Sequence, residues 1–154
     1  MSNSLRGMLA GLIATLVLSG ILLLKANMEL WPELNLIRLL VSLGSIQTVA
    51  AWMDHFIVGV VVWGLLFTAF DSLWENRAYW LKGLIFGVFA WLMMMVLFMP
   101  LAKAGWFGTR IGSYAAMVTL GMHLIYGLVL GVVYGLLTAY YPAKAPENPS
   151  TPRG

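Results

Sequence analysis
Four long apolar stretches alternate with short polar ones along this chain, running roughly over Gly7–Leu24, Ala50–Phe70, Tyr79–Leu101 and Val118–Tyr140. A helix of about 20 apolar residues crosses the hydrocarbon of a bilayer, so each stretch predicts one crossing. Each ends at charge or proline: Lys25, Asp71, Pro100 with Lys103, and Pro142 with Lys144. Arg6 gives the first stretch the look of a signal peptide. The stretch is long, however, lacks a small-x-small cleavage site and has an internal counterpart, so we read it as a retained helix.

The connections carry pattern of their own. Between the first two crossings, Trp31-Pro32-Glu33 resembles a helix start, with proline in the first turn and an acid at the positive end of the dipole. Asn35, Arg38, Ser42 and Ser45 then form a narrow polar stripe on an apolar segment, which predicts a helix lying in the interface or dipping back toward the bundle. Trp106 and Phe107 beside Arg110 suit an interfacial anchor in the third connection. Asp71, Glu75 and Arg77 read as an ordinary solvated turn. Residues 142–154 are polar and proline-rich, which predicts a disordered tail after a single domain spanning 1–141.

The halves of the chain resemble each other. Arg6-Gly7 with Gly11 and Ala14 matches Lys82-Gly83 with Gly87 and Ala90, and His55-x-Ile57-x-Gly59 matches His123-x-Ile125-x-Gly127. The pattern suggests two helical hairpins in the same orientation, as in parallel transporter repeats; chance likeness of glycine-rich helices is the alternative. Gly7 with Gly11, Gly83 with Gly87, and Gly127 with Gly131 and Gly135 recur every four residues. They predict close helix–helix seams, within the bundle or between copies.

Composition agrees with lipid as the solvent. Of 154 residues, 61% are hydrophobic and 10% charged, far below the ~25% of a soluble domain. The formal charge of +3 is spread over loops and tails, leaving no basic stripe for nucleic acid. The absence of cysteine removes disulfides and thiolate chemistry. Arg6, Arg77, Lys82, Lys144 and Arg153 fall on one side, Lys25, Arg38, Lys103 and Arg110 on the other, which favours cytoplasmic termini.

Ionisable residues at membrane depth are functional suspects. His55 and His123 are the only histidines, each about five residues inside its helix on the same membrane face. Asp54, Glu29, Glu33, Arg38, Arg110 and Tyr126 share that face and would form a polar cleft with them. Three readings stand: helix-packing hydrogen bonds, a proton- or substrate-contacting mouth, or a ligand pair for haem or a metal ion. Met93, Met94, Met95 and Met99 read as soft core filler. No phosphate loop, HExxH or paired nucleophile is present, which argues against an enzyme.

The order Glu33-Leu34-Asn35-Leu36-Ile37-Arg38, His55 with Gly59, Lys82-Gly83 with Gly87, Pro100 to Gly108, and His123-Leu124-Ile125-Tyr126-Gly127 with Gly131, Tyr134 and Gly135 resembles a family of small bacterial membrane proteins of unknown function. The resemblance covers nearly the whole chain and implies a four-helix inner-membrane protein without an established activity. The expected fold is thus all-α and polytopic, with four transmembrane helices in two repeated hairpins and an interfacial helix in the first long loop. The expected function is a non-catalytic accessory or assembly subunit without a cofactor, packing with itself or a larger membrane complex through its glycine seams. The alternatives are a small transporter or channel component, and a haem- or metal-binding electron-transfer subunit.

Overall fold
Ser2 starts the first helix by accepting the Leu5 backbone N–H at 3.3 Å, satisfying one donor of the open first turn. That helix, α1, runs Asn3–Asn27 in the computed structural model, which describes residues 1–44, 47–73 and 78–141. A short α2 follows at Leu36–Ser42, then the long helices α3 (Thr48–Ser72), α4 (Tyr79–Leu101) and α5 (Ala115–Tyr140). The four long helices are long and apolar enough to cross a membrane, which marks a membrane protein. Only 22% to 33% of the most apolar part of each is buried, so side chains such as Leu16, Leu65, Phe89 and Leu136 are left facing outward, where lipid would be.

The third apolar stretch has the boundaries the sequence predicts; the other three helices start two to four residues earlier than expected. The loop helix differs more. It starts at Leu36 rather than at Trp31-Pro32-Glu33, because Glu29 and Trp31 adopt positive φ (53° and 48°) and cannot propagate a right-handed helix. Asn35 is its cap, accepting the Arg38 N–H at 3.1 Å, and Ser42 turns its hydroxyl back to the Leu39 carbonyl. Ser45, Glu75, Arg77 and residues 142–154 lie outside the described residues.

Helix α1 packs against both α3 and α5, α4 packs mainly along α5, and α2 rests against the start of α3. Two glycine seams make these approaches possible. A side chain at Gly7 would overlap the Gly64 carbonyl, and one at Gly11 would lie 2.8 Å from the Gly59 carbonyl. Likewise a side chain at Gly83 would overlap the Gly127 carbonyl, and one at Gly87 would lie 2.5 Å from the His123 carbonyl. Gly131 and Gly135 accommodate Tyr79, and Gly59 accommodates Thr15. All eight glycines singled out from the sequence are therefore used within the chain, six of them against backbone and Gly59 and Gly135 against side chains.

The core falls into two parts. Phe67, Phe86 and Tyr134 form an edge-to-face aromatic cluster, with ring centroids 5.3 Å and 5.2 Å from Phe67. Toward the other end Met95 and Met99 are fully buried beside Leu34, Ala104 and Ala115, in keeping with their role as flexible filler.

Candidate functional site: a cavity between two histidines
Helices α1, α3, α4 and α5 diverge toward the α2 end and leave a cavity of about 140 Å³, with α2 along one side. His55 and His123 both line it, with Thr15, Trp63, Thr119 and Tyr126 as the other side chains able to hydrogen-bond. The rest of the wall is apolar, including Leu18, Val58, Met94, Phe98 and Met122, and Leu36, Leu39, Leu40 and Leu43 from the α2 region. Among the described residues, none that lines the walls is a lysine, arginine, aspartate or glutamate.

Each polar group in the cavity has a defined job. His55 is buried and shares a 3.2 Å hydrogen bond through Nε2 with Ser19 on α1. His123 is half-buried, and its Nδ1 lies 2.7 Å from the Thr119 carbonyl. A carbonyl oxygen only accepts, so in the neutral ring Nδ1 carries the proton and Nε2 remains an acceptor. Tyr126 donates to the Gly59 carbonyl at 2.6 Å. Gly59 lies in a π-helical turn of α3, Ile57–Val62, where the ordinary helix ladder is interrupted and a carbonyl needs another partner. Thr15 and Thr119 return their hydroxyls to Gly11 and Ala115 within their own helices.

The remaining sequence candidates are distributed elsewhere. Arg38 and Glu29 line a separate outer groove with Lys25, Asn35, Thr48 and Trp52. Glu33 accepts a 2.9 Å hydrogen bond from Tyr114, tying the α1–α2 connection to the start of α5. Arg110 donates to the Lys103 carbonyl at 3.2 Å, and Asp54 is exposed on α3. The structure therefore brings His55, His123 and Tyr126 together, and leaves Asp54, Arg110 and Glu33 outside their cavity. No group of three or more metal-ligating side chains occurs among the described residues.

At the opposite end, the structure corrects the expectation of a solvated turn at Asp71. Its carboxylate pairs with Lys82 at 2.5 Å, and both side chains are largely buried, at 17% and 4% exposure. Lys82 also lies over the Tyr79 ring, and Tyr134 contacts the same carboxylate. Arg6, at the start of α1, is also buried, donating to Asn3 and to the Tyr141 carbonyl, with its Nε left without a hydrogen-bond partner among the described residues. In the sequence, Arg6 and Lys82 mark the repeat and the orientation and Asp71 reads as a solvated turn; the burial of the three is not predicted. Ser19 was also missed, although Gly7, Gly11, Thr15 and Ser19 recur every four residues and so mark one small, weakly polar face of α1.

A family model described as a family of unknown function, DUF6789, matches residues 1–144. The chain belongs to that family. No curated protein and no solved structure matches the chain. The resemblance read from the ordered motifs is thus shown, and DUF6789 brings with it no activity and no residue roles.

Proposed function
We propose that the protein is a non-catalytic membrane protein that binds one lipid-like apolar molecule in the cavity between His55 and His123. The observation that carries this reading is the cavity's lining, apolar throughout except for neutral hydrogen-bonding groups. Such a site matches an apolar chain with few polar atoms, since ionic solutes would enter it without compensation for lost hydration. The His123 Nε2 offers an acceptor for a hydroxyl on the ligand.

The accessory-subunit reading gains less support, because the glycine seams it invoked are occupied inside the chain. Any association with itself or with a larger complex would use the outward apolar faces instead. The reading includes a bacterial cytoplasmic membrane with both termini inside, supported by four crossings and the distribution of lysine and arginine.

We also read the chain as two hairpins of like construction, in a register set by packing. Gly7 and Gly11 meet Gly64 and Gly59, as Gly83 and Gly87 meet Gly127 and His123. Ser19 stands twelve residues after Gly7, as Met95 stands twelve after Gly83. Ser19 bonds His55, whereas Met95 Sδ receives the Thr119 hydroxyl at 3.9 Å. In this register Thr119, and not His123, takes the place of His55, and the π-helical turn absorbs the one extra residue between His55 and Gly64.

Native mass spectrometry of the protein extracted from its own membrane in mild detergent tests the proposal. A copurifying lipid-like mass is expected, and it should be lost in Met122→Trp, which fills the cavity. A folded wild-type protein that carries no such mass and takes up none of a panel of added membrane lipids would sink the proposal.

A further inference from the structure
The cavity has a neighbour of contrasting chemistry. The outer groove, about 580 Å³, lies beside the end of α1, the start of α3 and the other side of α2. Leu22, Leu34 and Leu36 line both spaces, so the groove and the histidine-lined cavity adjoin across these apolar side chains. Among the described residues, no lysine, arginine, aspartate or glutamate lines the cavity, whereas the groove carries Lys25, Arg38 and Glu29. The groove thus has two cations against one carboxylate, at the level where the apolar runs of α1 and α3 end.

The two cations differ in freedom. Lys25 is buried, its Nζ fixed at 3.0 Å from the Trp31 carbonyl. Arg38 is exposed, and its guanidinium makes no hydrogen bond or ion pair with another described residue. An unengaged guanidinium beside an anchored ammonium suits a phosphate, which the guanidinium can bind through two parallel N–H groups. Trp52 in the same groove suits the headgroup level of a bilayer.

We infer that the ligand is a phospholipid, with its phosphate beside Arg38 and Lys25 in the groove and a short part of one acyl chain in the histidine-lined cavity. This inference rests on the lipid-binding reading above and adds the headgroup chemistry. Polar and apolar ends of one molecule match the polar groove and the apolar cavity that adjoins it, with the order that membrane depth demands.

The test compares two lipids that share acyl chains and differ by the phosphate, dioleoylphosphatidic acid and dioleoylglycerol, titrated into delipidated full-length protein in detergent. Phosphatidic acid should bind at least tenfold more tightly. Arg38→Gln should remove most of that preference, Arg38→Lys should keep part of it, and Met122→Trp should weaken both lipids. Equal binding of the two lipids, still sensitive to Met122→Trp, would overturn the headgroup inference and leave the apolar cavity standing. A preference unchanged in Arg38→Gln would overturn it too, as would displacement of phosphatidic acid by millimolar inorganic phosphate alone. Binding of neither lipid to protein with a normal melting transition would remove both the inference and the reading beneath it.

Discussion
The Tyr126 hydroxyl donates to the Gly59 carbonyl across 2.6 Å, joining α5 to the one turn of α3 whose ladder is widened. The bond ties the cavity wall to a local irregularity in the helix. Tyr126→Phe removes the donor and leaves a buried carbonyl unsatisfied, at a cost of about 1–3 kcal/mol. A lowered midpoint in a detergent thermal-unfolding assay is expected; an unchanged midpoint would mean that the carbonyl is served by another donor.

The Lys82–Asp71 pair is buried enough for its loss to matter. Lys82→Met alone takes the cation from a largely buried carboxylate and should destabilise by about 3–5 kcal/mol, and Asp71→Leu should destabilise as well. The double variant should recover a good part of that loss, because no lone charge remains. A double-mutant cycle in the same thermal assay measures the coupling, and additive losses would show that the two groups act independently.

Glycine substitutions should separate cleanly by position. Gly83→Ala places a methyl against the Gly127 carbonyl and should split the α4–α5 hairpin, whereas Gly121→Ala meets nothing within 4 Å. The latter should be neutral or stabilise by up to about 1 kcal/mol through helix propensity. Comparable loss from both would mean that the α4–α5 seam is looser than described.

The Glu33–Tyr114 tether is sensitive to acid. The backbone N–H of Glu33, then the Tyr114 hydroxyl, hold this carboxyl below its ordinary range. Folding lowers its pKa, so its contribution is present above the unfolded value and disappears as pH falls through the folded one. Amide protection in the Glu29–Leu36 segment, taken relative to intrinsic exchange at each pH, should therefore fall on acidification below the usual carboxylate range. Tyr114→Phe should shift that onset upward, and an onset that does not move would rule the tether out.

How much of this was legible beforehand follows from what decides each feature. Hydrocarbon thickness sets the long helices, so their number and near-boundaries are written in local composition. The glycine seams were visible as four-residue spacing, but which glycine faces which depends on helix rotation. The His55-to-His123 equivalence suggested by sequence is one helical turn away from the equivalence that packing supports, because matching letters do not reveal a widened turn. The shared cavity of His55, His123 and Tyr126 followed from their common depth. Asp71 looked solvated because no local pattern announces that Lys82, eleven residues on, folds back over it.

Arg6 reaches from the first turn of α1 to the carbonyl of Tyr141, just past the end of α5. The contact spans 135 positions of chain, and α1 sits between α3 and α5. Of the four long helices, the one made earliest is thus the one whose seat is completed last. Until α5 arrives, α1 has only half of its neighbours and a buried-to-be guanidinium without its carbonyl. During synthesis α1 must wait in the bilayer, held by its hydrophobic length and then by its seam with α3, until α5 has been made.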